Sequence, residues 1–133
     1  MPKGAKAHGP VVRDHSFKLN KKFRRFGIRT CLAAKFREGN LMVVDKLSMP
    51  THKTKSLLGI LTGLGWGEKN ILFIDSDKEK YDKNFVLAAR SLPKVDILPV
   101  RGVNVYDVVK KEFLVVSLSA LEGLSKRLIV ASK

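Results

Sequence analysis

The strongest constraint in this chain is a recurrence of four short apolar runs rich in β-branched residues, Leu41–Val44, Ile71–Ile74, Val95–Leu98 and Phe113–Val116, separated by segments with helical spacing. A strand covered by helices on both faces has no wet side, so it reads as an unbroken apolar run instead of an alternating one. Each interval is long enough for a crossover, which parallel neighbours require. The expected fold class is therefore α/β, a three-layer single domain with a mainly parallel four-stranded sheet and right-handed crossovers. A length of 133 residues, 44% of them hydrophobic, suits one such core and leaves little room for another.

The helices between these runs are marked by their apolar spacing. Leu57, Leu61 and Leu64 point to a helix starting near Thr51. Phe85, Ala88, Ala89 and Leu92 mark another that ends before Pro93. A shorter one is expected after Gly102, with Val105, Val108 and Val109 inward. Ser119 and Glu122 have capping-box spacing and announce the last, with Leu121, Leu124 and Leu128 along one face. Ahead of the first strand a basic helix is expected from about Lys18 to Arg37, capped by Asp14 or Ser16. Leu19, Phe23, Phe26 and Ala33 share one of its faces, and Ile28, Leu32 and Phe36 lie on the opposite side. Its first half should be exposed and its second half buried, and the spacing of Phe23 and Phe26 favours core packing over stacking on bases.

Charge supplies the functional signal. Lys and Arg number 26 against 12 Asp and Glu, a net charge of +14 and far more than solubility needs. Met1 to Glu38 holds 11 of those cations and only 2 acids. Residues 1–16, with Lys3, Lys6, His8, Arg13 and His15, have too few apolar side chains to order alone and read as a basic RNA-binding arm. Residues 17–133 form the α/β domain, opening on the basic helix. Lys18, Lys21, Lys22, Arg24, Arg25 and Arg29 fall within twelve residues that contain no acid. Laid along phosphates, such cations release counterions; an anionic membrane surface is the rival partner on charge alone.

Other chemistry is sparse. No apolar run approaches the roughly 20 residues that cross a bilayer, and the Met1 end lacks an apolar signal core, so a soluble, unsecreted chain without a membrane partner is expected. Cys31 is the only cysteine and reads as a small buried residue. It permits neither an intrachain disulfide nor a thiolate cluster. His8, His15 and His52 are scattered, with no metal-ligand spacing. Asp45, Asp75 and Asp77 follow strands, where open α/β sheets place ligands, but no nucleophile has a spacing that pairs with them, and they read better as caps or solvated acids. Gly63, Gly65 and Gly67 follow a helix and precede a strand, the reverse of a pyrophosphate cradle, and read as a helix C-cap and turn, with Trp66 either anchored over the sheet edge, the favoured reading, or exposed as a contact residue. No catalytic residue, metal or cofactor is expected.

Two stretches, KAHGPVVRDHSFKLNKKFRRFGIR (Lys6–Arg29) and NFVLAARSLPKVDILPVRGVNVYDV (Asn84–Val108), resemble the family of the universal large-subunit ribosomal protein number four, in the family's order and spacing. The resemblance runs from about Lys3 to Arg127. It implies a three-layer α/β domain with four parallel strands, and contact with large-subunit ribosomal RNA through Gly9, Pro10, Arg13, Leu19, Asn20, Lys21, Lys22, Arg24 and Arg25. Neighbouring large-subunit proteins are implied as further partners. Members of that family normally carry an additional amino-terminal portion with a loop reaching the exit tunnel, so a separately encoded amino-terminal fragment is an expected partner, with truncation or incomplete assignment as the alternatives. The KAHGPVVRDHS wording is similar to the alphaproteobacterial branch and its mitochondrial descendants, and SMPTHKTK (Ser48–Lys55) resembles a loop of mitochondrial members. The implied location is the mitochondrial ribosome, with a bacterial cytoplasm as alternative. Rival functions are a free-standing regulatory RNA-binding protein and a small phosphate- or metal-dependent α/β enzyme.

Overall fold

The computed structural model describes Gly4, residues 6–77 and residues 80–129. Its elements run α1 (Lys21–Arg37), β1 (Leu41–Val44), α2 (Thr54–Gly63), β2 (Ile71–Asp75), α3 (Lys83–Arg90), β3 (Val95–Pro99), α4 (Val105–Lys110), β4 (Phe113–Ser117) and α5 (Leu118–Leu128), with a 3-10 turn at Val100–Gly102. Each expected apolar run is a strand, within one residue of its expected bounds. The strands form one sheet in the order β1-β4-β2-β3, and all its pairings are parallel. β4 sits between β1 and β2, with Leu114 opposite both Leu41 and Leu72.

Alternation along β2 divides the core between two helical layers. Leu72 and Ile74 face α1, α4 and α5, meeting Ile28, Cys31, Val108 and Leu124. Ile71 and Phe73 face α2 and α3, meeting Leu57, Leu61, Phe85 and Ala88. Ile71, Leu72 and Ile74 have no exposed surface, which is why this strand reads as an unbroken apolar run. On the α2 and α3 side, Phe73 meets Phe85 edge to face with centroids 5.1 Å apart, and Trp66 stacks on Phe113 at 4.9 Å.

The glycine-rich turn is a helix stop. Gly65 takes φ +81°, its N–H donates to Thr62 O at 3.0 Å, and Trp66 N–H donates to Leu61 O at 2.8 Å, the paired bonds of a Schellman cap. A Cβ on Gly67 would lie 2.7 Å from Thr62 Oγ1, so the chain can turn this tightly only without one.

Several local expectations are corrected. α2 begins at Thr54, not near Thr51, and Leu64, beyond its end, is exposed. α5 is capped by Ser117, whose Oγ accepts from Ala120 N–H at 3.2 Å; β4 runs directly into the helix, so the last strand residue takes the role expected of Ser119. Leu121 lies at the exposed margin of that helix. α4 has six residues and buries Val108 alone, because so short a helix offers the core a single position; Val105 and Val109 are exposed.

Candidate nucleic-acid interface

α1 begins at Lys21, later than expected. Asn20 caps it, Oδ1 accepting from Phe23 N–H at 2.8 Å. Asp14 instead closes a local turn, accepting from both the N–H and the hydroxyl of Ser16 at 2.9 Å, and these bonds hold its carboxyl below the usual range. Residues 6–20 form neither helix nor strand and lie exposed.

The face of α1 that meets the sheet is also a correction. Ile28 and Cys31 are buried and Leu32 packs beside them. Phe23 and Phe26 are 57% and 58% exposed, and Phe36 and Phe17 are exposed as well. Of the two apolar sides available, the helix turned the Ile28 side inward, with Gly27 beside α4, where a Cβ would lie 3.2 Å from Val105 Cγ2. Burial pushes the Cys31 thiol pKa up, and Sγ–H donates to Ile28 O at 3.1 Å, an inert packed side chain.

Among the described residues, no hydrogen bond or ion pair links the side chains of Lys6, Arg13, Lys18, Lys21, Lys22, Arg24, Arg25 or Arg29 to any part of the fold. All are exposed except Arg25, which is half-buried, and His8, His15 and His52 are exposed too. Lys3 lies outside the described residues. Some cations elsewhere have structural work. Lys35 Nζ donates to Lys111 O at 2.7 Å, tying α1 to the turn before β4, and Lys111 Nζ pairs with Asp96 Oδ2 at 2.7 Å from a buried position.

The basic helix divides its cations between two sides. Lys21, Arg24 and Arg25 line a groove of about 800 Å³ together with Arg101 from the 3-10 turn and Arg127 from α5. Arg29 lies instead on the side of Phe26 and Phe36. Arg101 and Arg127 were not legible as site residues, because each stands outside the cationic run and only the sheet's crossovers bring it to α1. Arg127 is anchored there: Nη1 donates to Val100 O at 2.5 Å and to Val103 O at 3.3 Å.

Of the carboxylates at the strand ends, Asp75 serves the fold. Asp75 Oδ1 accepts from Ser117 Oγ–H at 2.7 Å and from Ser76 N–H at 2.8 Å, while Asp45 is exposed. The cavity there, about 1020 Å³, mixes Asp75, Asp77 and Asp82 with Lys46, Lys80 and Arg101. Asp82 is occupied, Oδ2 accepting from Met49 N–H at 2.7 Å and Oδ1 from Asn84 N–H at the start of α3. The Tyr81 hydroxyl is buried without a hydrogen-bond partner among the described residues; desolvation, with smaller contributions from Asp75 and Asp77, pushes its pKa up to about 12. Among the described residues no cluster of three or more His, Cys, Asp and Glu side chains could hold a metal, and no helix is long and apolar enough to cross a membrane.

Fold and surface together define a small basic α/β protein whose leading helix carries cations unused by its own structure. Residues 1–127 match the model of the ribosomal protein L4/L1 family. The chain belongs to that family. It is 44% identical over 124 residues to the large ribosomal subunit protein uL4 of Bartonella quintana, and 45% and 46% identical to the proteins of the same name from Rhizobium johnstonii and Agrobacterium fabrum. Each alignment covers 93% of this chain and 58% of the relative.

Proposed function

We propose that this chain is a structural constituent of the large ribosomal subunit, binding and stabilising large-subunit ribosomal RNA during assembly and translation. The observation that carries this reading is the set of largely exposed cations from Lys6 to Arg29 that no group among the described residues engages by hydrogen bond or ion pair, on a member of a ribosomal protein family. Unused cations at this density are a liability to a lone domain through self-repulsion and an asset beside phosphate. Residues 1–16, including Lys3, Lys6, His8, Arg13 and His15, act as an RNA-binding arm ahead of the α/β domain at 17–133. Arg13, Arg24, Arg25 and Arg29 clamp phosphates through planar forks, and Lys18, Lys21 and Lys22 act as mobile point charges. The role is architectural and has no catalytic step.

The ribosome we propose is mitochondrial. That location rests on the wording of Ser48–Lys55, which resembles a loop of mitochondrial members; the relatives themselves are bacterial, as the alternative of a bacterial cytoplasm would have it. Neighbouring large-subunit proteins are proposed partners. Quantitative mass spectrometry across a sucrose gradient of mitochondrial ribosomes tests the proposal. Stoichiometric migration with the large subunit is the expected result. Absence from both free large subunits and whole ribosomes would overturn it and favour a free-standing RNA-binding protein.

A further inference from the structure

An exposed phenylalanine in the first turn of a polycationic helix is an unusual use of that position. Phe23 stands between Lys22 and Arg24, is 57% exposed, and has its backbone fixed by the Asn20 cap. It lines the same groove as Lys21, Arg24 and Arg25. The far wall is the turn from Arg101 to Val105, and the buried side chains of Ile28 and Val103 contribute its apolar lining. The walls draw together at Gly27, where even a methyl group would press on Val105.

The charge of this groove has one sign. No Asp or Glu lines it among the described residues, while Lys21, Arg24, Arg25, Arg101 and Arg127 all do. Asp107, the acid of the adjoining helix, accepts from Asn104 Nδ2 at 2.6 Å and so takes part in the capping of α4. Arg127 is held in place through Nη1, and among the described residues Nη2 and Nε have no protein acceptor. A purely electrostatic seat for duplex RNA needs the cations but has no use for a phenyl ring and an apolar lining. An unpaired nucleotide uses both, since its base can stack on the ring while its phosphates meet the guanidinium groups.

We propose that the groove between α1 and the Arg101–Val105 turn binds an unpaired RNA nucleotide, with the base stacked on Phe23 and the flanking phosphates held by Arg24, Arg101 and Arg127. This rests on the RNA-binding function proposed above and adds a preference for single-stranded over duplex RNA. It also assigns functional contacts to Arg101 and Arg127, which lie outside the basic run.

Binding of the full chain to oligouridine and to an A-form duplex with the same number of phosphates, measured across a range of salt concentrations, tests the site. The wild-type chain should prefer oligouridine. Phe23→Ala should lower oligouridine affinity by about tenfold, the effect of losing one stacked base, and leave duplex affinity and the salt dependence unchanged. Phe23→Trp should keep the preference and report it through a change in indole emission on binding. Arg101→Gln should flatten the salt dependence for oligouridine by about 0.7 in log–log slope, the loss of one phosphate contact. Equal oligouridine affinity in Phe23→Ala and wild type would overturn the nucleotide site while RNA binding stood. Failure of the wild-type chain to bind either RNA would overturn the RNA-binding function itself.

Discussion

Lys35 and Lys22 are both lysines of α1, and their different fates describe the molecule. Lys35, in the last turn, reaches the carbonyls of Lys111 and Glu112 and helps fasten the helix to the sheet. Lys22, in the first turn, meets nothing among the described residues and is exposed. One helix therefore spans two regimes. Its far end is fastened to the core through Lys35, and its near end belongs to a surface whose charges make no hydrogen bond or ion pair among the described residues. Stability and binding should accordingly respond to different substitutions.

The sharpest way to break that separation is to damage the core and ask whether binding follows. Leu72→Ala removes a fully buried side chain from the central strand and should cost about 4 kcal/mol, read by urea denaturation. RNA affinity of the fraction still folded should be unchanged. The converse substitution is Lys21, Lys22, Arg24 and Arg25 together to Ala. It should weaken RNA binding by about 3 kcal/mol at moderate salt and flatten its log–log salt slope by about 3, with little change in the denaturation midpoint. Unchanged salt-dependent affinity in that folded variant would contradict the proposed role of the helix.

Two smaller effects sharpen the description of the core side. Ser117→Ala removes both the α5 cap and a donor to Asp75, and should destabilise by about 2 kcal/mol in thermal or urea melts without altering RNA binding. Tyr81→Phe deletes a buried hydroxyl that has no partner among the described residues and should stabilise by about 1 kcal/mol at neutral pH. The sign at high pH follows from the raised pKa. With Tyr81 at about 12 in the fold against an ordinary value of 10.0, the unfolded chain releases its proton first. Wild-type stability should thus fall between pH 10 and 12 by an increment that Tyr81→Phe does not lose.

The same division explains what was legible from residues alone. Strands were, because a strand buried on both faces tolerates almost nothing but apolar side chains, and Ile71–Ile74 admits no other reading. The cationic run was legible too, since charge density needs no geometry. Orientation was not. Phe23 and Phe26 share a helical face with Leu19 as convincingly as Ile28 shares one with Leu32, and periodicity does not say which face meets the sheet. Cys31, read as a small buried residue, does lie where α1 approaches the core, with Gly27 beside α4, while the bulkier phenylalanines remain outside. The contributions of Arg101 and Arg127 come from crossovers that join residues far apart in sequence, and neither has a local pattern. The α5 cap was misplaced by two residues because strand and helix share Ser117 as their boundary.

The order β1-β4-β2-β3 has a consequence in time. During synthesis the basic segment is made ahead of the described strands, and β1 soon after it, but β1 pairs with β4, the last of the described strands to be made. β2 and β3 can pair early; β1 must wait until Phe113–Ser117 emerges and inserts between it and β2. Non-local pairing of this kind is slow and leaves an edge unprotected in the interim. The nascent chain therefore offers its cations to a polyanion before its sheet can be completed.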